Sequence, residues 1–159
     1  KNAGEIRILY WANEENKESA ETVLRAIEIA KKEKPEIIVE MLCDWKIAPH
    51  EMAKKYCSAD IFIASSSQEG WNSSVAEAMA CERRVVATDS GGVAEVLGQE
   101  GFLVPPKNSE KLALAMEKAL LLTDGEAKVM GIAARNRIVD KYSLNSVVDN
   151  WLKIYNAGQ

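Results

Sequence analysis

Two carboxylates, Glu69 and Glu77, stand with seven residues between them, and the run from Gly70 to Ser74 offers a glycine for a sharp turn and three side chains able to cap a helix. An apolar strand-like run, Ile61-Phe62-Ile63-Ala64, comes before, and an Ala- and Met-rich helical pattern comes after. Strand, turn and helix start together form an anion-binding turn, because the first N–H groups of a helix lack intrahelical acceptors and face whatever lies in front. That end suits a phosphate. The carboxylates can flank a single ligand, and a carboxylate is a good acceptor for sugar hydroxyls.

The stretch Glu69-Gly70-Trp71 through Glu77-Ala78-Met79-Ala80-Cys81, followed by Val85-Val86-Ala87-Thr88-Asp89-Ser90-Gly91-Gly92 and then Gly101-Phe102-Leu103-Val104, resembles the donor-binding signature of retaining glycosyltransferases of the GT-B fold, family GT4. The specific motifs run from about residue 48 to about residue 104. The resemblance implies a Rossmann-like α/β domain with a doubly wound parallel sheet, the C-terminal half of a GT-B fold. It also implies that Glu77 holds the ribose hydroxyls and that Glu69, as a catalytic residue, contacts the transferred sugar. Backbone N–H groups near Trp71, Asn72, Ser73, Ser74 and Val75 would meet sugar hydroxyls and phosphates, with Gly70, Gly91 and Gly92 allowing close approach. Lys17 matches the family's catalytic lysine at the start of the helix after the first strand, and also reads as a solvated lysine in a polar loop.

In such enzymes a nucleotide diphosphate sugar donates a hexosyl group, with retention, to a glycan or lipid acceptor held by an N-terminal domain. At 159 residues the chain fits one domain, residues 1–159, so that partner half is absent from the sequence and activity alone is expected to be negligible. There is no Asp-x-Asp motif, so no metal or other cofactor is expected, as is general in the family. Two competing readings share the fold: a non-catalytic nucleotide-sugar-binding or interaction domain, and a GT-B-fold epimerase.

Three departures from the family pattern stand out. Trp11-Ala12-Asn13 occupies the place of a Gly-Arg pair, and Cys81-Glu82-Arg83-Arg84 replaces Cys-Gly-x-Pro. Only residues 43–48 separate the second strand from the next helix, where the family normally spends an extra α/β unit. Arg83 and Arg84 read as capping or surface residues at the far end of the helix from the anion site.

A formal net charge of −4 with no concentrated basic face argues against a nucleic-acid partner. No run approaches 18 consecutive apolar residues, and no signal peptide is visible, so a cytoplasmic protein is expected, its parent enzyme peripheral at the inner membrane face. The three cysteines, Cys43, Cys57 and Cys81, have no paired spacing and read as buried structural thiols. His50, the single histidine, lacks a nearby Asp or Ser partner and reads as a surface residue.

The elements that must position this turn follow from hydrophobic periodicity. Ile6–Tyr10, Ile37–Leu42, Ala59–Ala64, Val85–Thr88 and Phe102–Val104 read as strands. Ala20, Val23, Leu24, Ile27 and Ala30 mark a helix between the first two, closed by Pro35, which makes a βαβ unit. Pro49 suits the first turn of a second helix. Beyond the last strand, Ser109 is expected to cap a helix, a second runs from about Glu126 to Lys141, and a third carries Val147, Val148, Trp151, Leu152 and Tyr155. All three stripes are expected to be core, with Trp151 and Tyr155 also able to meet a partner surface.

Overall fold

The computed structural model describes residues 5–11, 17–42, 47–66 and 70–157. Strands β1 (Ile6–Trp11), β2 (Ile37–Leu42), β3 (Ile61–Ala64), β4 (Arg84–Thr88) and β5 (Phe102–Val104) form one sheet in the order β2-β1-β3-β4-β5. Every pairing is parallel, with Ile8 of β1 opposite Val39 of β2 and Ile61 of β3. The helices are α1 (Lys17–Glu33), α2 (Pro49–Ser58), α3 (Ser73–Ala80), α4 (Val93–Leu97), α5 (Ser109–Leu121), α6 (Asp124–Tyr142) and α7 (Leu144–Ala157). The doubly wound, Rossmann-like α/β fold expected from the sequence is the one observed.

Strand side chains alternate between faces, so each strand supplies two layers of core. Ile8, Tyr10, Ile61, Ile63 and Val86 point to one side, where they meet Val23, Ala26, Ile27 and Ala30 of α1 and Leu112, Ala115, Met116 and Ala119 of α5. Leu9, Phe62, Ala64, Val85 and Ala87 point to the other, against Met52 and Tyr56 of α2, Val75, Ala78 and Met79 of α3, Val96 of α4 and Ala134 of α6. Burial on both faces explains why β3 is apolar throughout instead of alternating.

Several local expectations change. Leu24 lies outside the α1 stripe and is exposed, its place taken by Ala26. Asn108, not Ser109, caps α5: its extended backbone lets the side chain accept from Lys111 N–H at 2.9 Å, whereas Ser109 is already helical. A capping box between Thr123 and Glu126 starts α6 at Asp124, earlier than the apolar pattern alone suggests. The α7 stripe is not core. Trp151, Leu152 and Tyr155 are exposed, none of the helix is buried, and Trp151 stacks on Tyr155.

The missing glycine after Cys81 is replaced by strain. Glu82 takes the left-handed conformation at φ 61°, Glu82 N–H donates to Met79 O, and Arg83 N–H donates to Ala78 O, which is the glycine-type helix stop made with a glutamate. The Arg83 guanidinium donates to the carbonyls of Cys81 and Ala59, confirming it as a capping residue. Arg84 instead opens β4, where it donates to Ala119 O and Asp60 O and pairs with the Asp60 carboxylate.

Candidate functional site

The chain runs from β1 to β2 on one side, then returns to place β3 on the other side of β1, so the strand order reverses between β1 and β3. In open parallel sheets, ligands bind beyond the carboxyl ends of the strands at that switch point. β1, β3 and β4 all end at that edge. Lys17 opens α1 at this edge, although its side chain and the residues 12–16 before it lie outside the described residues, as does Glu69.

Hydrogen bonds to backbone carbonyls fasten these segments together. Ser65 Oγ donates to Ser19 O at 3.4 Å, and Thr88 Oγ1 donates to Ser66 O at 2.6 Å. Gly92 N–H donates to Gly70 O at 2.8 Å, so close that a Cβ on Gly92 would lie 2.7 Å from that oxygen. Gly91 adopts φ 55°, a conformation that favours glycine. Beside this pair, the Ser90 hydroxyl is buried with no partner among the described residues.

The start of α3 is built as the sequence suggests, with Asn72 as its cap. Asn72 is buried, and its Oδ1 accepts from Val75 N–H at 3.1 Å. Val75 N–H is thereby occupied, while the helix geometry leaves the N–H groups of Ser73 and Ser74 without intrahelical acceptors. The Val75 side chain is fully buried in the core. Trp71 is half exposed, its ring edge-on to Tyr142 with centroids 4.6 Å apart, and Tyr142 Oη in turn donates to Glu95 O. Thus the end of α6 braces the turn.

Glu77 follows one turn after the cap, with its carboxylate exposed. Its Oε2 accepts from Tyr56 Oη at 3.0 Å, and Tyr56 Oη accepts from Trp11 Nε1 at 3.3 Å. Burial, reinforced by the Glu77 charge and opposed by the Trp11 bond, pushes the Tyr56 hydroxyl up to about 12. Nothing in the sequence marks Tyr56 or Trp11 as neighbours of Glu77. Tyr56 looks like any amphipathic helix residue, and Trp11 is visible only as the departure from Gly-Arg.

His50 is exposed at the start of α2. Cys57 is exposed, which corrects its reading as a buried thiol, because it faces outward near the end of α2; Cys81 is half-buried and Cys43 lies outside the described residues. Among the described residues there is no cluster of His, Cys, Asp and Glu able to hold a metal.

A family model described as glycosyl transferases group 1 matches residues 42–121, half of the chain, which include Tyr56, the α3 turn, Glu77 and the glycine pair. The alpha-maltose-1-phosphate synthase of Mycolicibacterium smegmatis is 31% identical over 113 residues, covering 67% of this chain and 29% of that protein. The poly(ribitol-phosphate) alpha-N-acetylglucosaminyltransferase of Staphylococcus aureus is 31% identical over 102 residues, covering 61% of this chain and 20% of that protein. This chain therefore spans less than a third of the length of either relative. Among solved structures, a glycosyltransferase from Rickettsia africae superposes with a TM-score of 0.79 at 22% identity, over 99% of this chain and 48% of that one. The C-terminal domain of a glycosyl transferase group 1 family protein from Francisella tularensis superposes with a TM-score of 0.68 at 19% identity, over 88% of this chain and 86% of that one.

Proposed function

Because the chain belongs to the glycosyl transferases group 1 family, we propose that it is the C-terminal, donor-binding half of a GT4-type retaining hexosyltransferase, taking a nucleotide diphosphate sugar in the crevice between β1 and β3. The observation that carries this reading is the convergence, at the switch point, of a capped helix start, an exposed carboxylate and two interlocked loops.

Each part has a physical role in the proposal. The Ser73 and Ser74 N–H groups and the positive end of α3 offset the charge gathering on the departing diphosphate. Gly91 and Gly92 let backbone approach the phosphates. Glu77, with its carboxylate exposed toward ligand, accepts from the ribose hydroxyls, and Glu69 is assigned to the transferred sugar. A glycan or lipid acceptor is brought by a second domain, so the chain alone transfers sugar at a negligible rate. No helix among the described residues is long and apolar enough to cross a membrane, and the proposed setting is the cytoplasm, with the parent enzyme at a membrane face.

Calorimetric titration with a panel of nucleoside diphosphates and their sugar conjugates tests the reading. Saturable binding to one base family is expected, weakened about tenfold or more in Glu77→Ala, since a charge-assisted hydrogen bond is worth about 1.5–3 kcal/mol. A folded protein that binds none of them overturns it.

A further inference from the structure

The Tyr56 hydroxyl is the pivot of a directed hydrogen-bond chain. An indole N–H can only donate, so Trp11 Nε1 must occupy a lone pair of Tyr56 Oη, and an ionised carboxylate can only accept, so the tyrosine proton must go to Glu77 Oε2. Donor and acceptor thus fix which way the hydroxyl points. The ring cannot drift either, being 1% exposed and edge-on to Phe62 at a centroid distance of 5.3 Å.

Glu77 has the opposite character. Its side chain stands exposed on α3 with three rotatable bonds, and among the described residues Tyr56 is the partner that holds its carboxylate. Ordering a free glutamate when ligand arrives costs conformational entropy. One hydrogen bond on Oε2 removes much of that freedom and leaves Oε1 and the remaining lone pair of Oε2 to accept.

We infer that Tyr56 is a positioning residue that pre-orients the Glu77 carboxylate for two neighbouring ribose hydroxyls, and so sets the preference of this site for an intact ribose diol. The inference rests on the proposed donor site, and it places a determinant of sugar-ring selectivity in α2, a helix away from the anion-binding turn. Ligand never touches the tyrosine.

The test compares uridine, guanosine and adenosine diphosphates with their 2′,3′-dideoxy counterparts, titrated calorimetrically into the full chain and into Tyr56→Phe. The wild type is expected to prefer the ribonucleotide of its base by about tenfold or more. Tyr56→Phe is expected to lose about tenfold in affinity for that ribonucleotide and to keep its affinity for the dideoxy form, so that the preference collapses. Ile37→Val, a core deletion in the first residue of β2, controls for general destabilisation and is expected to keep the preference. An equal loss for both nucleotides in Tyr56→Phe, an unchanged preference, or the same collapse in Ile37→Val overturns the role of Tyr56 while leaving the donor site standing. Absence of binding by the wild type overturns the donor site itself, and this inference with it.

Discussion

The N–H of Gly92 donates to the carbonyl of Gly70 at 2.8 Å, which joins the loop after β4 to the loop after β3 across the front of the sheet. A Cβ on Gly92 would sit 2.7 Å from that carbonyl oxygen, a contact with backbone that no rotamer can relieve. Gly92→Ala is therefore predicted to cost about 1–3 kcal/mol of stability, the usual range for overpacking, and to weaken nucleoside diphosphate binding by parting the two loops. Urea unfolding and calorimetry on the same variant check both effects. Unchanged stability would show that the loops are not in contact.

Asn72 separates the folding role of the α3 start from its binding role. Asn72→Ala removes the bond to Val75 N–H and is expected to cost about 1 kcal/mol. Asn72→Asp keeps an equally good cap, so stability should stay within about 0.5 kcal/mol, but it puts a negative charge beside the proposed phosphate site. Nucleoside diphosphate affinity should then fall about tenfold, and less at high salt. If the aspartate binds as well as the asparagine, the phosphates lie elsewhere.

Strain at the other end of α3 can be relieved. Glu82 holds φ 61° in the helix stop between Met79 and Arg83, where glycine carries no Cβ penalty. Glu82→Gly is predicted to raise stability by about 1 kcal/mol. A shift of the urea midpoint to higher concentration, with an unchanged slope, is the expected readout.

The Tyr56 hydroxyl is shifted from its ordinary 10 to about 12, first by burial, and the Glu77 charge adds to the rise. Its protonated form is favoured by the fold. The associated stability is fully present below pH 10, where folded and unfolded chains are both protonated, and is lost as pH rises through 12. In an alkaline absorbance titration, the phenolate signal missing from Tyr56→Phe should appear near pH 12. A missing signal centred near pH 10 would mean that the hydroxyl is not buried against Glu77.

Much of this molecule is legible without coordinates because its decisive patterns are local. The run Ile61-Phe62-Ile63-Ala64, apolar throughout because both faces are covered, marks a central strand. The Gly70-to-Ser74 turn is legible as the start of a helix, and the structure places a capped helix there with Glu77 exposed on it. Helix caps were less legible: Asn108 and Ser109 are both competent, and only the backbone conformation selects Asn108.

What tertiary structure decided are the relations between residues far apart in the chain. Tyr56 and Glu77 lie 21 positions apart, and they meet only because α2 and α3 pack on the same face of the sheet at one particular depth. Gly92 needs to be glycine for the sake of Gly70, a constraint that no property of its own neighbours announces. The stripe on α7 shows the same limit from the other side. Its spacing is that of a core helix, and periodicity defines which residues share a face, but whether that face is covered depends on what the chain places opposite it.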